Sequence, residues 1–110
     1  CLWRAYHGDK TGPLAPETVR LFFTVPPGAD RALGFDIPGP DPAPGAAGRF
    51  FSPHSVGHLG FTGTSFWLDL DSGQMVVLLT NRVHLGRDDK TKIQAFRPRF
   101  HEAASRALNF

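Results

Sequence analysis

The sequence predicts an α+β fold: an antiparallel sheet of about three core strands with a C-terminal helix packed across it. Three β-rich runs lie between residues 55 and 80, separated only by short turn signals. Segments with helical spacing lie before them and after them. No stretch repeats, so the order is helix, helix, loop, three strands and a terminal helix.

Leu2, Trp3 and Tyr6 read as the last turns of an amphipathic helix closed by Gly8. Pro16 stands where a first helical position places it, with Glu17 in the favourable first turn. Val19, Phe22 and Phe23 are then expected on one buried face, and Pro26 and Pro27 stop the helix. Ala32 to Ile37 is expected to be a strand. From Pro38 to Gly48, four Pro and three Gly among eleven residues predict a surface loop.

The first strand of the sheet is expected over about 55–61. The second, about 64–70, places Phe66, Leu68 and Leu70 on one face and Ser65, Trp67 and Asp69 on the other. Asp71, Ser72 and Gly73 make a turn into 74–80, where Met75 to Leu79 is apolar without a break. A strand apolar on both sides is expected at the sheet centre. Residues 81–92 read as loop. Pro98 then opens the last helix, whose buried face is expected to hold Phe100, Ala104, Ala107 and Leu108.

The length of 110 residues accommodates a single domain or a portion of one, and 41% apolar residues exclude a disordered tail. The run Met75–Leu79 is far short of the roughly 20 apolar residues of a membrane span. Cys1 is the only cysteine, so no internal disulfide forms. Residues 1–81 carry five basic and seven acidic side chains, and residues 82–110 carry seven and three. The basic end is not interleaved with aromatic residues as a single-stranded nucleic-acid groove requires, so no nucleic-acid partner is expected. Met75 is the only methionine, and an upstream segment is therefore expected before Cys1.

A metal site finds little support. His54 and His58 have the i, i+4 spacing of helical zinc ligands, but Pro53 and Gly57 oppose a helix. In a strand the two would stand about 13 Å apart. His7, His84 and His101 are expected to be exposed. The serines at 52, 55, 65, 72 and 105 lack both the G-x-S-x-G elbow and a lysine three residues later. Asp69 and Asp71 read as a solvated strand end. By residue types alone the chain is not a complete enzyme. The most informative stretch is Gly57 to Trp67, where Gly60 and Gly63 suggest a sheet edge against which a backbone or ligand lies.

Four motifs recur in one order: Leu14-Ala15-Pro16-Glu17-Thr18-Val19, the His58-Leu59-Gly60 box, the Phe61-Thr62-Gly63-Thr64 after it, and Val76 through His84. From about Pro13 to its end the chain resembles the serine β-lactamase and penicillin-binding-protein superfamily, in particular its class C-like esterases and β-lactamase-related hydrolases. The resemblance implies that residues 1–110 are the C-terminal portion of one β-lactamase/transpeptidase-like domain, about the last third of such an enzyme. It implies acyl-enzyme chemistry on an ester, amide or β-lactam, with no cofactor and no metal.

By position the resemblance makes the Phe61 N–H an oxyanion-hole donor after Gly60, and His58 the cationic member of the box. Leu59, Thr62 and Asn81 then fall on the substrate side. Leu59 replaces the hydroxyl residue frequent in the family, and His58 replaces a permanently charged lysine. Both changes favour an ester-like substrate over a carboxylate-bearing lactam. The Ser-x-x-Lys and Tyr-x-Asn boxes are absent from these residues, so the nucleophile is expected upstream and this chain alone is expected to be inactive. The alternative is a non-catalytic binding or scaffold module that keeps the fold. Expected partners are the small-molecule substrate, the N-terminal part of the same domain and, through exposed sheet, a second copy. The resemblance points to a periplasmic or secreted location.

Overall fold

In a computed structural model, which describes residues 1–40, 43 and 45–108, the chain folds as three layers around a small sheet. The elements are α1 (Leu2–Tyr6), α2 (Pro16–Phe23), β1 (Ser55–Leu59), β2 (Ser65–Asp69), β3 (Met75–Leu78) and α3 (Thr91–Ala107). The strands pair antiparallel in the order β1-β2-β3, with Gly57 opposite Trp67 and Trp67 opposite Val76. This is the α+β arrangement that the strand and helix signals predict.

Pro16 occupies the first turn of α2 with Glu17 beside it, and Val19 and Phe23 turn inward, whereas Phe22, expected to be buried with them, is exposed. They pack with Ala5, Val56, Leu68 and Leu70 into one core cluster, joined by Leu2, Tyr6, Leu14 and Phe35. On the other face Ala47, Phe51, Trp67 and Val76 form a second cluster against Phe100 and Ala104 of α3. Trp3 Nε1 donates to the Leu70 carbonyl at 3.1 Å and His7 Nε2 lies 2.8 Å from the same oxygen, which ties α1 to the end of β2.

The central strand is β2, where Trp67 is buried towards α3 and Leu68 towards α1 and α2. This corrects the expectation for 74–80: β3 is an edge strand, with Val76 and Leu78 buried and Met75, Val77 and Leu79 exposed. An apolar run records side-chain type and not cover: here only the face of β3 that holds Val76 and Leu78 is buried.

The expected strand at 32–37 reduces to a single bridge, in which Asp36 N donates to Gly57 O at 2.7 Å and Gly57 N to Asp36 O at 2.9 Å. Gly34, at φ +79°, turns the chain just before it, and Pro38 supplies no N–H to continue the ladder. Residues 41, 42 and 44 of the Pro/Gly-rich segment lie outside the described residues. At its end Gly45–Ala47 form one 3₁₀ turn that buries Ala47 under α3.

The last helix begins at Thr91, not at Pro98, which sits inside it. Asp89 Oδ1 accepts from the Thr91 N–H at 2.9 Å and from its hydroxyl at 2.6 Å, fixing the chain just ahead of the first turn. The buried stripe is Ile93, Arg97, His101 and Ser105, while Leu108 is exposed. Three of these four side chains are polar, so hydrophobic periodicity does not reveal them. Each bonds to the sheet layer: Arg97 to the turn after β1, His101 to Ser65, and Ser105 to Gln74.

Candidate active site

Residues 58–62, singled out in the sequence, run from β1 into the turn that joins it to β2. His58 is exposed on β1, opposite Phe66. Leu59, expected on the substrate side, is instead half-buried and packs into the cluster of Ala47, Phe51, Trp67 and Val76, which corrects that expectation. Strand alternation therefore sends these two side chains to opposite faces of the sheet. Gly60 closes the hairpin, its N–H donating to Thr64 O at 2.8 Å. Phe61 and Thr62 are exposed on the turn. Asn81 comes beside them from the end of β3, because the next residue, Arg82, donates its N–H to Thr62 O at 2.8 Å. All six residues are thus gathered along one end of the sheet.

The turn is held by residues to which the sequence assigns no role. Arg97 Nη2, from α3, donates to Gly60 O at 2.7 Å and to Thr64 O at 2.9 Å. Arg82 Nε donates to Phe61 O at 2.8 Å, and the Arg82 guanidinium lies 4.6 Å from the centre of the Phe61 ring. Thr80 Oγ1 donates to Gly63 O at 2.8 Å. Every carbonyl from Gly60 to Thr64 therefore accepts a hydrogen bond. Arg82 lies within the quoted motif, but nothing local shows that its side chain reaches back 21 residues.

Gly63 has φ +103°, a conformation that disfavours any side chain, and a Cβ there would also collide with Thr80 Oγ1 and Arg82. At Gly60 a Cβ would strike the Thr64 hydroxyl. Both glycines make room for the chain's own side chains, which corrects the expectation that an external backbone or ligand lies against them.

The electrostatics at this end are positive. Burial, with a further contribution from the Arg82 charge, lowers the Arg97 pKa below its ordinary value. A cavity of about 220 Å³ beside the turn is lined by Phe61, Arg82, Lys90, Ile93, Gln94 and Arg97, three of them cationic.

Two other polar groups depart from their sequence reading. His101, expected at the surface, is fully buried between Phe51 and Phe100, with Nε2 2.9 Å from Ser65 Oγ. Desolvation first, and Arg97 second, push its pKa down to about 4. A serine and a histidine in hydrogen-bond contact have the geometry of a nucleophile and its base. Here both are sealed from solvent, so no substrate reaches the hydroxyl and the pair is a strut between β2 and α3. Asp69, expected at a solvated strand end, is 5% exposed. Burial alone would raise its pKa. Hydrogen bonds from the Ser52 N–H and hydroxyl and from the N–H groups of Asp71 and Ser72 overcome that effect and hold the pKa below the ordinary carboxylate value.

Among the described residues, no group of three or more His, Cys, Asp and Glu side chains is placed to hold a metal ion, and no helix is long and apolar enough to cross a membrane. His54 pairs with Asp71 at 3.1 Å, on the exposed surface.

No protein-family profile matches the sequence, nor does any curated protein. Among solved structures the chain is similar to a β-lactamase from Mycobacterium bovis, with a TM-score of 0.70 and 22% identity over 92% of this chain. The match spans 40% of that protein's length. The chain therefore has a β-lactamase-like fold, of which it forms one part.

Proposed function

We propose that this chain is the C-terminal part of a serine hydrolase that acts through an acyl-enzyme on an ester, amide or β-lactam. The observation that supports this reading best is the clamped turn. Residues of β1 alternate in backbone direction: the Gly60 N–H bonds towards β2, whereas the N–H and C=O of Gly57 face outward to Asp36. The Gly60 carbonyl is engaged by Arg97 and the Gly63 N–H, so the Phe61 N–H, on the opposite side of the same planar peptide, faces away from β2, in a turn whose five carbonyls are all engaged. A fixed N–H at an accessible strand end suits the developing negative oxygen of a tetrahedral intermediate. His58 and Asn81 flank it on the substrate side, with Thr62 beside them, while Leu59 supports the strand from the core. The serine and lysine of the acylation step would come from the part of the domain upstream of this chain.

The test is hydrolysis of p-nitrophenyl acetate and nitrocefin, with fluorophosphonate labelling, by this chain and by a longer protein that contains it. The expected result is no labelling of the chain alone and labelling of an upstream serine in the longer protein. Labelling of a serine within residues 1–110 would overturn the division of roles. Silence in both would move the assignment to a non-catalytic scaffold.

The outer edge of β3 supports a second part of this reading. Met75, Val77 and Leu79 are exposed there, beside backbone groups that pair with no strand among the described residues. We propose that the rest of the domain covers this edge. The isolated chain is then expected to self-associate through it, because an uncharged apolar edge is a template for pairing. In sedimentation equilibrium the apparent mass should rise with concentration, and Val77→Lys should reduce the rise. A strictly monomeric wild-type chain would count against the open edge.

A further inference from the structure

We propose that Arg97 is a positioning residue for the oxyanion donor: its guanidinium sets the plane of the Gly60–Phe61 peptide and so aims the Phe61 N–H. The inference rests on the assignment of that N–H to the oxyanion hole.

A trans peptide is planar, so its N–H points opposite to its C=O. The carbonyl of the Gly60–Phe61 peptide is Gly60 O, which accepts the shorter, charged hydrogen bond from Arg97 Nη2 at 2.7 Å and a longer one from the Gly63 N–H at 3.1 Å. The Arg97 bond draws the carbonyl towards α3 and leaves the N–H facing away from β2. The same nitrogen donates to Thr64 O at 2.9 Å, so one atom locks both ends of the five-residue turn.

Arg97 is itself rigid. It is 7% exposed and lies one helical turn from His101, which is fixed to Ser65. Among the described residues no carboxylate pairs with it, and its buried Nε has no partner. A buried cation without an acid is costly, and a hydrophobic residue would pack a helix against a sheet with less penalty. What the charge supplies here is a strong donor to two backbone carbonyls at the turn that presents Phe61.

Removing the guanidinium should leave the fold in place, because each carbonyl keeps a backbone donor: Gly63 N–H on Gly60 O, and Gly60 N–H on Thr64 O. The experiment uses a longer protein that contains this chain and compares an oxo-ester with its thiono analogue, whose sulfur fits an oxyanion hole poorly. Wild type is expected to prefer the oxo-ester strongly. Arg97→Met should lower kcat for the oxo-ester about 30-fold with KM within about threefold, since a misdirected donor forfeits part of the 10²–10³ that such a group supplies. The oxo/thiono ratio should fall by about tenfold, because the thiono rate never used the donor fully. Arg97→Gln, which can serve one carbonyl only, should fall in between, and Arg97→Lys should restore most of the loss.

A folded Arg97→Met protein with the wild-type ratio would overturn the role of Arg97. If that variant does not fold, an unchanged ratio in Arg97→Gln would do the same. Wild-type protein with no preference for the oxo-ester would instead overturn the oxyanion reading, which keeps the two failures distinct.

Discussion

Replacing Asp69 by alanine is expected to destabilise the fold by about 4 kcal/mol, the cost of removing a buried charged acceptor from several donors at once. Asp69 Oδ1 accepts from the Ser52 hydroxyl at 2.8 Å and from the N–H groups of Asp71 and Ser72 at 2.9 and 3.3 Å; Oδ2 accepts from the Ser52 N–H at 2.9 Å. One carboxylate thus joins the segment before β1 to the turn after β2. Asp69→Asn keeps one oxygen and puts an amide NH₂ against the Ser52 N–H, or, flipped, against the donors on Oδ1. Its cost should be about 2 kcal/mol. Urea unfolding at neutral pH reads both values, and a loss below 1 kcal/mol for Asp69→Ala would sink this account. Because the Asp69 pKa is depressed in the folded state, its contribution is present above the ordinary carboxylate value of 3.8 and is lost as pH falls through the lower folded value.

The second large effect is acid sensitivity from His101, and it acts in a different pH window. Its folded pKa of about 4 lies below the ordinary imidazole value of 6.5. Above pH 6.5 both states hold it neutral and it contributes no slope. Between 6.5 and 4 the unfolded chain takes up the proton and the folded chain does not, so stability falls as pH falls. Below about 4 both states are protonated and the slope from this group ends. The full loss is about 3 kcal/mol at 1.36 kcal/mol per unit.

The physical cause is specific. Burial between two phenylalanines removes water from the ring, Arg97 repels an added positive charge, and Nδ1 has no partner for the proton it would carry. His101→Gln should flatten the stability profile between pH 6.5 and 4 while leaving the Asp69 limb below 4. Stability measured by urea at a series of pH values separates the two limbs. An unchanged slope in His101→Gln would assign the acid sensitivity to another group.

That the candidate residues lie together was legible in the sequence because most of them are contiguous. His58 to Thr62 follow one another in β1 and its turn, and the run Val76 to His84 brings Asn81 back to them through one hairpin. The residues that fix the turn were not legible as such. Thr80, Arg82 and Arg97 reach it across 17, 21 and 37 residues, and their types suggest only ordinary surface polarity.

By itself the sequence determined the α+β class, the order of elements, the start of α2 at Pro16 and the three strand runs. These depend on local chemistry: the missing N–H and fixed φ of proline, and the spacing of apolar side chains along a helix or strand. Tertiary structure alone decided that β2 rather than β3 is central, that α3 begins at Thr91 and that its buried stripe is polar. It also decided that His101 and Asp69 are enclosed. Side-chain spacing records which residues share a face; which face is covered, and the partner that satisfies a buried guanidinium, imidazole or carboxylate, come from another element, and only packing brings the two together.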